Sequence, residues 1–442
     1  MTKRREIFGW AMFDVANSAY TTIIVTVLFN SVFSEVIVGP DPLAPGAAAG
    51  SDPSYSWGNL LWSIVIATSA LLAAILSPLF GALTDVTHSR KRFLAFSVAL
   101  CSGATCMLWF AGPGDILLAS ALVVIAGLGF SLSENFIASF LPHLSTPENI
   151  GKISGLGWGL GYFGGLGSIV LVQAVTGSTA SPEHMEQLRW VGPLTGIFFV
   201  LFAIPTFLLV SEPARALGEE RALKSAIRKS YSEVAHTLRD LSRYKDLTRF
   251  LTSLFFFSGG LSIVISFAAL FGKQVYGIEG QWRTIFFVTL QLTAAGGAFL
   301  FGWLQSRIGA MPAVNITLFI WIGTILAIYF LEPLAALLGV ADLRTMFIIV
   351  GNFAGLCLGA TQASSRAMVG LLSPPERSGE FFGFWGLSGK LASILAILTF
   401  GFLQRMFDLK TAMLLCASFF VVGLVLNFTV DEKRGRAVVA KG

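Results

Sequence analysis

The stretch from Gln362 to Lys390, QASSRAMVGLLSPPERSGEFFGFWGLSGK, decides how the chain is read. It carries two cations, Arg366 and Lys390, in apolar runs that flank a short polar turn. A charge inside a bilayer is costly enough to mark function. An earlier segment has the same design: Leu144-Ser145-Thr146-Pro147-Glu148-Asn149-Ile150-Gly151 returns as Leu372-Ser373-Pro374-Pro375-Glu376-Arg377-Ser378-Gly379. In that register Ala126-Gly127-Leu128 falls on Ala354-Gly355-Leu356, Gly155 on Gly383 and Gly161 on Gly389. The two halves read as copies of one unit.

Composition supports a lipid solvent. Of 442 residues, 55% are hydrophobic and 12% charged, and the mean hydropathy is +0.75. A soluble domain carries about a quarter charged residues, twice this share. The +5 net charge does not point to nucleic acid, because the basic residues sit in loops between apolar runs. Cys101, Cys106, Cys357 and Cys416 lie within apolar segments without metal-ligand or CxxC spacing, and read as small core residues.

Twelve apolar stretches are long enough to cross a hydrocarbon core of about 30 Å. The first six cover residues 7–38, 57–85, 92–112, 115–141, 152–176 and 189–210. The second six cover 248–272, 282–305, 312–331, 343–371, 379–404 and 409–430. Threaded from an inside N-terminus, only Arg189, Lys273, Arg283, Arg344, Arg405 and Lys410 fall on the far side, with Arg366 and Lys390 in the bilayer. Every other Lys and Arg is on the near side, so the chain is expected to keep both termini cytoplasmic. Lys3-Arg4-Arg5 before an apolar run imitates a signal peptide, but that run is long and carries Asp14 and Asn17, which argues for a retained span.

Domains are expected at 1–210 and 247–442, with a cytoplasmic linker at 211–246. Within it Leu223, Ile227, Tyr231, Val234, Leu238 and Leu241 recur at helical spacing among Lys and Arg, the pattern of an amphipathic helix on a membrane surface. Residues 39–57, rich in Pro, Ala and Gly, read as an external loop.

Gly81-Ala82-Leu83-Thr84-Asp85 followed by Arg90-Lys91-Arg92 is similar to the loop signature of the major facilitator superfamily. Gly302-Trp303-Leu304-Gln305-Ser306-Arg307-Ile308-Gly309 resembles its second copy, with Ser306 in place of Asp. The resemblance implies a gating role for Gly81 and Asp85. A more specific set comprises Trp10 to Tyr20 (WAMFDVANSAY), Phe140 to Leu144 (FLPHL), Ser154 to Tyr162 (SGLGWGLGY), Gln362 to Arg366 (QASSR), Phe381 to Trp385 (FFGFW) and Gly389-Lys390. It resembles the branch related to the autophagy-linked vacuolar amino-acid effluxers, which has bacterial members. That resemblance implies an all-α membrane protein of twelve transmembrane helices in two pseudo-symmetric six-helix bundles. It also implies alternating-access transport of a small solute across a bacterial inner membrane.

Depth follows from 1.5 Å of rise per residue. Lys390, eleven residues past Gly379, lies about 16 Å in, near the midplane. Asp14, Glu134 and Arg366 lie about 8 to 11 Å from the cytoplasmic ends of their spans. An unpaired charge there costs on the order of 3 kcal/mol or more. The resemblance puts the first, fourth and tenth spans around the central cavity, bringing Asp14 or Glu134 within reach of Arg366. Two readings stand for these groups. In one, Lys390 supplies positive charge to an anionic or zwitterionic solute and Asp14 or Glu134 takes a proton (H+) or a substrate amine, since burial raises a carboxyl pKa. In the other, Glu134 and Arg366 form a closed-state latch that touches no substrate. Asn17 and Ser18 share a helical face with Asp14, and Tyr20, Gln173, Gln291, Asn352 and Gln362 are isolated polar groups that serve as ligands or as interhelical glue. The glycines from Gly155 to Gly165 follow no strand and read as a packing seam, not a nucleotide loop.

Other classes fare worse. His88, His143, His184 and His236 have no metalloprotease spacing, no phosphate-binding loop of the ATPase type is present, and no cofactor is implied. Enzyme activity is therefore not expected, and uphill transport must draw on an ion gradient. An amino acid or related zwitterion is the favoured cargo, with a sugar or organic anion, or a non-transporting sensor, as alternatives.

Overall fold

The computed structural model describes residues 2–40, 55–177, 181–212, 243–278 and 280–440, together with positions 230 and 232. The expected amphipathic linker helix and most of the loop at 39–57 lie outside the described residues. Among the described residues eleven helices are long and apolar enough to span a membrane, and a bent pair at the N-terminus makes a twelfth span. We number them α1 to α12.

In the first half, α1 runs from Thr2–Ala19 and continues through Tyr20–Val27 to Val38; α2 is Ser56–Thr87, α3 Arg90–Met107, α4 Ile116–Ala138, α5 Ile150–Thr176 and α6 Val191–Leu209. In the second, α7 is Lys245–Tyr276, α8 Gly280–Ile308, α9 Ala310–Tyr329, α10 Leu343–Leu372, α11 Ser378–Met406, and α12 Leu409–Leu415 with Ala417–Asn427. A last helix, α13, covers Glu432–Ala440.

The first span is one element in sequence but bends by 43° near Leu28. Its middle is YTTIIVTV, a β-branched run that crowds the preceding turn of an α-helix. The chain widens there to π-helical bonding, with the Leu28 amide donating to the Ile23 carbonyl at 3.2 Å. Thr21 and Thr26 hydroxyls donate to the Ser18 and Thr21 carbonyls, and such side-chain bonds loosen a helix.

Packing repeats between halves. In the first bundle α1 lies against α5 and α6, α3 against α4 and α6, and α2 against α4. In the second, α7 lies against α11 and α12, α9 against α10 and α12, and α8 against α10. The bundles meet along two equivalent seams, α2 with α11 and α5 with α8. Outer faces carry exposed Leu117, Val170, Leu208, Phe319 and Val425, as a lipid-facing surface requires.

The repeat extends to helix capping. Glu212, just past α6, accepts from the Arg90 and Lys91 amides at the start of α3, at 2.7 and 2.9 Å. Glu432, just past α12, accepts from the Ala310 and Met311 amides at the start of α9, at 3.1 and 3.0 Å. Each carboxylate satisfies amides that the first turn leaves unpaired and lies at the positive end of a helix dipole. Glu212→Ala and Glu432→Ala are each expected to cost about 1 kcal/mol, read as a lower thermal midpoint of the protein in detergent.

Candidate functional site

Arg366 on α10 is a buried charge in the bundle interface, at 3% exposure. Three helices supply its surroundings at four-residue spacing, so each stripe lies on one helix face. Trp10, Asp14 and Ser18 come from α1, Ser154, Trp158 and Tyr162 from α5, and Gln362 and Arg366 from α10. The guanidinium grips Asp14 through both nitrogens, Nη1 to Oδ1 at 3.1 Å and Nη2 to Oδ2 at 2.8 Å. Its Nε donates to Ser154 Oγ at 3.1 Å and Nη2 also to the Ser154 carbonyl at 2.9 Å. Trp10 and Trp158 lie over it, with centroids 4.6 and 5.4 Å away. A two-pronged carboxylate and aromatic faces are what a planar cation accepts in a dry site.

Close approach makes this possible. A side chain at Gly157 would run into Asp14 and Arg366, and one at Gly161 into the Asp14 carbonyl. Ser154 Oγ donates onward to the Ala363 carbonyl at 2.7 Å, and Tyr162 donates to Gln362 Oε1 at 2.6 Å. The interaction thus ties α1 and α5 of one bundle to α10 of the other.

Glu134 on α4 faces Lys390 on α11 across the bundles, Oε2 to Nζ at 3.9 Å. Their side chains keep 23% and 29% exposure, against 8% and 4% for Asp14 and Arg366. Lys390 lies over the Phe130 ring at 5.7 Å, and Tyr20 stacks on that ring at 5.2 Å. One charge pair is buried and multiply bonded; the other is longer and partly exposed.

At the end bearing the termini, the α2–α11 seam is closed by Asp85. Its carboxylate accepts from the Gly379 and Glu380 amides at 3.1 and 2.8 Å, the first turn of α11. Arg90 donates to the same carboxylate from Nε and Nη2 at 3.2 and 2.6 Å, and reaches the Pro375 carbonyl at 3.1 Å. A side chain at Gly81 would collide with the Gly379 backbone. Bundle contacts are therefore tight at the termini end, while Glu134 and Lys390 keep partial exposure.

The structure brings Asp14 to Arg366 and not Glu134, so the expected latch between Glu134 and Arg366 is corrected. Glu134, one helix away, takes Lys390, because α4 lies against α11 while α1 reaches α10 beside α5. Asn17 is buried on the α1 face, and Tyr20 points into its own bundle, with its hydroxyl 3.4 Å from the Val123 carbonyl. Asn352 bonds Thr289 and Thr293 between α8 and α10, the bonding of interhelical glue. Sequence reasoning did not single out Ser154, Trp10 or Trp158 as partners of Arg366; their four-residue spacing with Asp14 and with Tyr162 was the available signal.

Twelve spans in two equivalent bundles, with opposed charges meeting between them, define a transporter of the major facilitator superfamily. The chain matches the solved proton:xylose symporter XylE with a TM-score of 0.71 at 14% identity, over 98% of this chain and 96% of that one. It matches a bacterial homologue of the iron transporter ferroportin in an outward-facing state with a TM-score of 0.67 at 14% identity, over 97% and 99%. Its sequence is 26% identical to YxiO of Bacillus subtilis, described as an uncharacterized MFS-type transporter, over 96% of this chain and 94% of that protein. It is 26% identical to autophagy-related protein 22 of Kluyveromyces lactis, over 86% and 82%. The family model described as vacuole effluxer Atg22 like matches residues 2–440, and the chain belongs to that family. It is an integral multi-pass membrane protein that moves a small solute.

Removing one member of the dry pair leaves the other buried and unpaired, which costs about 3–5 kcal/mol. Arg366→Met and Asp14→Leu are each expected to lower the thermal midpoint sharply. The double variant is expected to recover most of the loss, and a full thermal double-mutant cycle measures it.

Proposed function

We propose that the chain carries a small zwitterion, an amino acid or close relative, by alternating access, with a proton as the coupling ion. One observation carries this reading: Glu134 and Lys390 meet from opposite bundles at 3.9 Å in a half-open space. A pair that keeps about a quarter of its surface in water is easily separated, since exposed ion pairs are worth about 0–1 kcal/mol. A ligand ammonium facing Glu134 and a ligand carboxylate facing Lys390 would replace each partner with an equivalent one. Protonation of Glu134 would release Lys390 in the same way, which links proton and solute at one site. The Asp14–Arg366 pair, with Trp10, Trp158 and Ser154 around it, is on this reading a latch beneath the solute, and Asn17, Tyr20 and Gln362 support the cavity wall.

On the same reading, residues 1–210 and 247–442 move as two bodies joined by 211–246, in a bacterial inner membrane with both termini cytoplasmic. The distribution of Lys and Arg supports that orientation. A cysteine replacing Ala341 is expected to react with an impermeant maleimide outside intact cells, and one replacing Ala440 only after permeabilisation. The reverse pattern would refute the orientation.

In proteoliposomes, Glu134→Gln is expected to keep amino-acid counterflow and lose accumulation driven by a pH step. Lys390→Ala is expected to raise the KM for the amino acid by up to about fivefold, the loss of one partly screened ionic contact worth about 1 kcal/mol. Wild-type coupled uptake by both variants would remove this site from the mechanism.

A further inference from the structure

The two seams between the bundles are built alike but latched differently. Gly81 of α2 lies on the Gly379 backbone, and Gly302 of α8 lies on Gly151 of α5. Three and four residues past the first glycine stand Thr84 and Asp85; three and four past the second stand Gln305 and Ser306. Thr84 bonds its own helix at the Gly81 carbonyl, 2.7 Å, and Asp85 takes the α11 amides. In the other seam the Ser306 hydroxyl turns back to the Trp303 carbonyl at 2.6 Å. Among the described residues no carboxylate accepts from the start of α5.

Gln305 itself lies against Gly151, where a Cβ would be 2.8 Å from its Cδ. It is 4% exposed, and neither its Oε1 nor its Nε2 has a hydrogen-bonding partner in the protein. A primary amide in water makes several hydrogen bonds, and burying it without them is unfavourable. Parting of α5 and α8 at the termini end would return that amide to water.

We infer that Gln305 is a positioning residue of the transport cycle: its unsatisfied amide disfavours the state closed at the termini end and so promotes parting of the α5–α8 seam. Asp85 acts in the opposite sense on the α2–α11 seam. A carrier must visit both states, and a residue shifts their populations only through a difference in free energy between them. Asp85 deepens the closed state and the unsatisfied amide offsets part of that depth.

The test uses the full chain in liposomes, spin-labelled at cysteines replacing Lys152 and Arg307, which are exposed on the two sides of the seam. Gln305→Met keeps reach and removes both polar atoms. It is expected to reduce the population with a long label distance by about tenfold, the scale of one relieved buried amide. Turnover should fall with it, while the KM measured from the opposite face stays the same. Gln305→Leu should act in the same direction, and adding Asp85→Asn to Gln305→Met should restore the long-distance population. A residue that merely packs would alter the thermal midpoint without moving the distance distribution. If Gln305→Met leaves the distribution and turnover unchanged, as it would were the amide held by bound water in both states, the inference is wrong. A rise in the long-distance population would overturn it as well. Failure of Gln305→Met to fold leaves Gln305→Leu to decide by the same readout.

Discussion

Everything at the interface is arranged around one requirement, that the Arg366 guanidinium must be neutralised away from water. It cannot shed its charge, so five donors need acceptors in a region built from apolar helices. Asp14 and Ser154 accept from four of the five, and the indoles of Trp10 and Trp158 cover the faces. Such a pair adds little net stability, because desolvating both ions offsets their attraction. Its consequence is geometric: α1 and α5 must stand at a fixed distance from α10, and any other arrangement strands a charge.

Charge pairs then form a series along the bundle axis. Asp85 and Arg90 sit near the termini end, and Asp14 with Arg366 and Glu134 with Lys390 lie within the spans. The first two are buried and the third keeps about a quarter of its side-chain surface exposed. Coulomb attraction is weak where water reaches it and strong where it does not. On the proposed reading the more exposed pair is the one that a solute displaces, and the buried pairs hold the closed end.

Glycine makes the closed end possible. At Gly155 the α5 backbone lies on the Ala298 carbonyl of α8, and at Gly383 the α11 backbone lies on α2 near Ser77 and Pro78. Without side chains between them, paired helices approach closely and can part again with little repacking. The Gly-rich run on α5, which resembles a nucleotide loop on paper, serves this packing.

Sequence alone determined the membrane class, the number of spans and the twofold repeat, because hydropathy over about 20 residues and the recurrence of Leu144 to Gly151 at Leu372 to Gly379 are local properties. It also marked Asp14, Glu134, Arg366 and Lys390, since a charge within an apolar run stands out wherever the chain folds. Which of them pair was decided only by tertiary structure. Asp14 and Arg366 are 352 residues apart, and whether Arg366 meets Asp14 or Glu134 depends on helix rotation and on which helices adjoin, neither of which periodicity carries. The bend in α1, the carboxylate caps of α3 and α9, and the unpartnered Gln305 belong to the same class of fact: each depends on which groups end up beside one another once the backbone hydrogen bonds are satisfied.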